Sequence, residues 1–120
     1  MSLAGKKIVI TGAAGGLGAG VAKGAFDQGA EPVLLDVVDN FTSELGQAYS
    51  VDLLDAAAVQ AVFDDIGDFD VLANIAGGFA MGPTVDATAD EFWQRMFDIN
   101  VTTLRRVLKA AVPILVSRGR

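Results

Sequence analysis

The sequence predicts an α/β fold in which a parallel sheet of about four strands carries helices on its faces. Three observations carry that expectation. Short apolar, β-branched runs alternate along the chain with stretches of helical period. The runs are apolar at consecutive positions, as strands covered on both faces require. The first of them leads directly into a glycine-rich segment that opens a helix.

The elements follow in order. Lys7 to Thr11 ("KIVIT") is a short apolar run that meets glycine, the signature of a buried strand. Leu17, Val21, Ala25 and Phe26 then recur at helical spacing, and Gly29 suits the end of that helix. "EPVLLDV" predicts a second strand and "AYSVDL" a weaker third. "DAAAVQAVFDDI" predicts a short helix with Val59, Val62 and Phe63 on one face, and "DVLANIAG" a fourth strand ending in glycine. From about Thr88 the pattern predicts one long helix. Thr88 and Glu91 have capping-box spacing. Phe92, Trp93, Met96, Phe97, Val101, Leu104, Val107, Leu108, Ala111 and Leu115 supply two apolar flanks. Arg95, Asp98, Thr102, Arg105 and Lys109 form a narrow polar stripe between them, and Pro113 is placed to bend the last turn.

Composition narrows the function. The 120 residues suffice for one domain with a real core, and 52% hydrophobic with 20% charged residues is globular. A net charge of -6 argues against nucleic acid and anionic membranes as partners. With no Cys and no His, disulfides, thiolate metal sites and imidazole catalysis are excluded. No metal site is expected. No apolar run has the length of a membrane span, so a cytoplasmic protein is the expectation.

The glycines concentrate where the first strand hands over to the helix. Gly12 permits a tight turn with positive φ. Gly16 and Gly18 remove side chains where backbone must approach a ligand or another backbone. The N–H groups of a helix N-terminus attract phosphate. Gly20 and Gly24, one and two turns beyond Gly16, are expected to let the helix press against the sheet.

The spacing is T-G-x-x-x-G-x-G, from Thr11 to Gly18, and not the commoner G-x-G-x-x-G. With it come Asp36 ending the second strand, Asp52-Leu53 after the third, "NIAG" from Asn74 to Gly77, and Asn100 within "FDINV". In this order and spacing the chain resembles the N-terminal part of a short-chain dehydrogenase/reductase, with Ile75 standing where that family has a second Asn. The resemblance implies half of a doubly wound Rossmann fold over residues 1–120, a truncated NAD-binding domain. Right-handed crossovers then give strand order 3-2-1-4. It also implies cofactor contacts at Gly12, Gly16, Leu17, Gly18, Asp36, Asp52, Leu53, Asn74, Ala76 and Gly77, and a catalytic-side role for Asn100.

Each polar position has a plain reading beside the functional one. Asp36 is either a solvated strand end or the acceptor for the adenosine ribose hydroxyls. As acceptor it repels a 2′-phosphate, and neither Gly15 nor Val37 supplies a compensating cation, so NAD is expected over NADP. Asp52 either caps a turn or lies near adenine. Asn74 either satisfies a strand end or faces the cofactor. Asn100, costly to bury unpaired, either bonds backbone or, as the resemblance implies, holds a water of a proton relay.

The family's chemistry uses Tyr-x-x-x-Lys with an upstream serine, the lysine tuning the tyrosine as acid or base. The one tyrosine here is Tyr49, with Leu53 four residues on and on the wrong element. The expectation is therefore the cofactor-binding part of an NAD-dependent oxidoreductase, inactive alone. The alternative is a non-catalytic half-Rossmann module that binds nucleotide or self-associates. A homodimer or higher oligomer is expected, through the helix from Phe92 to Leu115, the uncharged fourth-strand edge, or both.

Overall fold

The computed structural model describes residues 2–80 and 82–119. Four strands form one parallel sheet: β1 (Lys7–Thr11), β2 (Glu31–Asp36), β3 (Gln47–Ser50) and β4 (Val71–Asn74), in spatial order β3-β2-β1-β4. The expected order is the observed one. The helices are α1 (Gly16–Asp27), α2 (Ala56–Ile66), α3 (Asp90–Phe97) and α4 (Thr103–Ser117). None of them is long and apolar enough to cross a membrane.

Alternation along the central strands divides the core. Ile8, Ile10 and Leu34 face one side, where Ala22 and Ala25 of α1 cover them. Val9, Val33 and Leu35 face the other, against Val59 and Phe63 of α2 and Val107 and Ala111 of α4. Both faces are thus covered, which is why these strands are apolar at successive positions. As the spacing predicted, Val59 and Phe63 are buried with Ile66, and Val62 packs half-buried beside them.

α1 corrects one expectation. Its buried residues are Gly18, Ala22 and Ala25. A Cβ added at Gly20 or Gly24 would meet nothing within 4 Å. Close approach to the sheet therefore comes from Gly18 and the two alanines, while Gly20 and Gly24 face solvent. Leu17 and Phe26 also lie off the buried face, 72% and 48% exposed. Gly29 has φ +84 just past the helix, the left-handed conformation expected of a terminating glycine.

The long C-terminal helix is a rod in two parts. α3 and α4 are joined by a π-helical turn, Asp98–Thr102. The residue before α3 is Ala89, with no side-chain cap. The Thr88 hydroxyl donates backwards to the Thr84 carbonyl at 2.8 Å, so the Thr88–Glu91 capping box does not form. Of the polar stripe, Arg95, Arg105 and Lys109 are exposed, while Thr102 is buried beside Thr103, with Thr102 Oγ1 donating to Asp98 Oδ1 at 2.9 Å. α4 continues through Pro113 to Ser117.

Candidate functional site

The C-terminal ends of all four parallel strands meet along one edge of the sheet. The order reverses between β1 and β4, the switch point where open α/β sheets take ligands. Thr11 ends β1 fully buried, and its Oγ1 accepts the amides of Ile75 (3.2 Å) and Ala76 (3.1 Å), holding the segment after β4 against the β1 turn.

Gly12 follows with φ +68, and a Cβ there would lie 2.8 Å from the Ala76 backbone. Any larger residue would push the two segments apart. A Cβ on Gly18 would overlap the Gly12 carbonyl, whereas one on Gly16 would meet only open space. Of the two close-approach glycines, Gly18 faces backbone and Gly16 faces open space. Gly15 precedes α1 with no side-chain cap, and no acidic residue lies in the first turn. The amides of that turn are thus left for another acceptor.

Asp36, ending β2, reaches across to the glycine-rich turn. Its Oδ2 accepts the Ala14 amide at 2.9 Å and its Oδ1 the Val38 amide at 3.3 Å. Beyond β3, Asp52 Oδ1 accepts the Leu54 amide at 2.9 Å, the turn-capping contact. The Arg106 guanidinium of α4 donates to the Leu54 carbonyl and fastens this loop from the other side. Between these segments lies a cleft of about 360 Å³, whose walls include Gly12, Asp36, Val37, Asp52, Leu53 and Gly77. A recess of about 110 Å³ adjoins it, lined by Thr11, Leu53, Asn74, Ala76 and Asn100 among others.

The fold therefore brings Gly12, Asp36, Asp52, Leu53, Ala76 and Gly77 to one cleft, and Asn74 and Asn100 to the recess beside it. Gly16, Leu17 and Gly18 lie at the α1 N-terminus and line neither. Asn100 is exposed. Its Nδ2 donates to the carbonyls of Gly78 (3.0 Å) and Met96 (2.9 Å), and its Oδ1 accepts the Gly78 amide (3.1 Å). Of its two readings, backbone bonding is the one seen. Sequence reading missed Arg106 and the Ala14 amide. Both act over distances in sequence that no local pattern encodes.

Tyr49 stands apart from the cleft. Its hydroxyl donates to Asp65 Oδ2 at 2.6 Å. Burial, reinforced by the Asp65 carboxylate, pushes its pKa up from 10.0 to about 12. That is the opposite of the shift an acid or base near neutral pH needs.

A glycine-rich turn against an uncapped helix, at the switch point of a parallel sheet with a carboxylate ending the second strand, defines half of a Rossmann-type fold. Comparison with known proteins agrees. The short chain dehydrogenase family model matches residues 6–120, and the chain belongs to that family. A D-xylose 1-dehydrogenase of Caulobacter vibrioides is 35% identical over 128 residues, covering 98% of this chain and 51% of the relative. A galactitol 2-dehydrogenase of Agrobacterium fabrum is 31% identical over 131 residues, covering 100% of this chain and 51% of the relative. The crystal structure of a carveol dehydrogenase from Mycobacterium avium in complex with NAD superposes with TM-score 0.87 at 28% identity, over 98% of this chain and 52% of that one. The chain thus spans about half the length of the curated relatives it matches.

Proposed function

We propose that residues 1–120 form the NAD-binding part of a short-chain oxidoreductase, a Rossmann-type domain that spans about half the length of its relatives. The observation that carries this reading is the cleft between Asp36 and Ala76, floored by Gly12 at the switch point. Its fit to a dinucleotide rests on two features. The α1 N-terminus has no side-chain cap, so its amides are available to a pyrophosphate. A carboxylate offers about four acceptor positions. Asp36 gives two to backbone amides, which leaves two for the paired hydroxyls of a ribose. Val37 and Leu53, both apolar, flank the place where a base would lie. A 2′-phosphate would meet the Asp36 carboxylate with no cation at Gly15 or Val37 to offset it, so NAD is preferred over NADP.

When bound, the nicotinamide ring supplies hydride chemistry. The chain's own residues bind and orient. Gly16, Leu17 and Gly18 line the phosphate side, and Asp52 and Leu53 close the adenosine side. Asn74, Ala76 and Gly77 form the wall toward the nicotinamide. Asn100 holds that wall through Gly78, and the lone pair left on its Oδ1 is the position for the relay water that the resemblance implies. A cytoplasmic location and a homo-oligomeric state belong to the same reading.

Calorimetric titration with NAD and NADP tests it. NAD binds, more tightly than NADP, and Asp36→Ala weakens NAD and narrows the preference. A wild-type chain that does not distinguish the two overturns the assignment of Asp36. We propose also that this polypeptide alone does not turn over. Tyr49, its one tyrosine, is committed to Asp65 and lacks a lysine four residues on. NADH formation from NAD and simple alcohols stays at background; a robust rate would mean another acid–base group exists.

A further inference from the structure

We propose that Asp36 is a positioning residue for the glycine-rich turn, so that part of the nucleotide affinity it confers is exerted at the phosphate side and not at the ribose. The proposal rests on the nucleotide reading above and extends it.

The hydrogen-bond pattern between β1 and β2 motivates it. The paired strands end with Thr11 opposite Leu35. One further bond continues beyond them, from the Ala13 amide to the Leu35 carbonyl at 3.1 Å. Carbonyls alternate sides along a strand, so the next one, that of Asp36, faces β3, where it accepts the Val51 amide at 2.8 Å, and no main-chain acceptor of β2 faces Ala14. The Asp36 side chain fills that role and accepts the Ala14 amide at 2.9 Å. Ala14 is the exposed tip of a turn closed by Gly15 N–H to Gly12 carbonyl at 3.2 Å. Directly after it come Gly15 and the first turn of α1. Among the described residues no other group accepts the Ala14 amide. The carboxylate is therefore the strap that sets where the turn, and with it the α1 N-terminus, lies over the cleft. A flexible turn must be ordered on binding; a strapped one is ordered beforehand.

A ligand series separates the two roles. ADP carries the ribose diol, and 2′,3′-dideoxy-ADP lacks it while keeping the phosphates. If Asp36 served only the ribose, Asp36→Ala would bind dideoxy-ADP as well as the unmodified chain does. The positioning role predicts instead that Asp36→Ala weakens dideoxy-ADP by about twofold to tenfold, the range one hydrogen bond sustains, and weakens ADP further. Asp36→Asn keeps a side-chain oxygen for the Ala14 amide and recovers most of the dideoxy-ADP affinity. In the ligand-free chain, hydrogen exchange at the Ala14 amide quickens in Asp36→Ala and less so in Asp36→Asn. Equal dideoxy-ADP affinity in wild type and Asp36→Ala, with ADP still bound by wild type, overturns the positioning role alone. Failure of the wild-type chain to bind ADP at all overturns the nucleotide reading beneath it.

Discussion

Asn100 and Gly78 hold each other by a reciprocal pair of hydrogen bonds, the amide Nδ2 to the Gly78 carbonyl at 3.0 Å and the Gly78 amide to Oδ1 at 3.1 Å. The pair joins the π turn of the C-terminal rod to the loop after β4. It also dictates the neighbouring residue, because a Cβ on Gly77 would lie 2.6 Å from Asn100 Oδ1. Asn100→Ala should cost about 0.5–1.5 kcal/mol, the net worth of a hydrogen bond whose groups water can reach once it is lost. Gly77→Ala should cost a comparable amount alone, and less in the Asn100→Ala background, where the clash is gone. Relief is partial because the Gly77 φ of +156 still disfavours a side chain. Urea midpoints of the four proteins measure the coupling; strictly additive losses would contradict the clash.

Thr11 gives a second, independent lock. Its buried hydroxyl is the side-chain acceptor for two consecutive amides, Ile75 and Ala76. Thr11→Val preserves shape and removes the acceptor, leaving both amides unsatisfied beside the cleft. A loss of about 1–3 kcal/mol is expected, against a much smaller loss for Thr11→Ser. Equal midpoints for the two variants would show that the methyl group, and not the hydroxyl, matters.

Tyr49 predicts an alkaline signature. Its folded-state pKa of about 12 lies above the 10.0 of an unperturbed phenol. The protonated phenol therefore stabilises the fold below pH about 10, and that contribution is lost as pH rises from about 10 through 12. Tyr49→Phe loses the Asp65 hydrogen bond at every pH but has no proton to lose. The stability gap between wild type and Tyr49→Phe should be present at pH 8 and close above pH 10. A gap that holds constant to pH 11.5 would mean the phenol titrates unperturbed.

The strands and their order were legible in the sequence because doubly covered strands must be apolar throughout. "EPVLLDV" and "KIVIT" admit little else. Gly12 and Gly18 were legible because a turn with positive φ and a close approach leave few residues to choose from. Gly20 and Gly24 were misread because glycine at helical spacing looks alike on either face; only Ala22 and Ala25 mark the buried side. The π turn was invisible since Asp98 to Thr102 carry no local signal for a fifth residue in the turn. The Asp36–Ala14 contact, too, joins positions 22 apart in sequence and is set by the pairing of β1 with β2, not by local spacing.

Self-association is the remaining expectation, and the exposed face of the C-terminal rod supports it. Trp93 and Phe97 on α3 are each 55% exposed, and Val101, Leu104, Leu108, Val112 and Val116 continue the apolar surface along the rod. Trp93, Phe97, Leu104 and Leu108 lie outside the core, because the sheet-facing side of α4 is taken by Val107, Ala110 and Ala111. Among the described residues β4 ends the sheet on one side, with Leu72 half-buried and Val71 38% exposed. Nothing charged lies between Val71 and Ala76 to discourage pairing. An apolar surface of this extent tends to be covered by a partner. A homodimer or higher oligomer burying more than about 1,000 Å² is expected. Sedimentation across micromolar concentrations decides it: a monomer with no concentration dependence refutes association. Leu104→Glu with Leu108→Glu places two charges in the middle of the rod face and should shift the equilibrium to monomer if that face is the interface. Leu72→Lys does the same for the strand edge. If only the second variant dissociates, the sheet continues across the subunits and the rod face is left for a different partner.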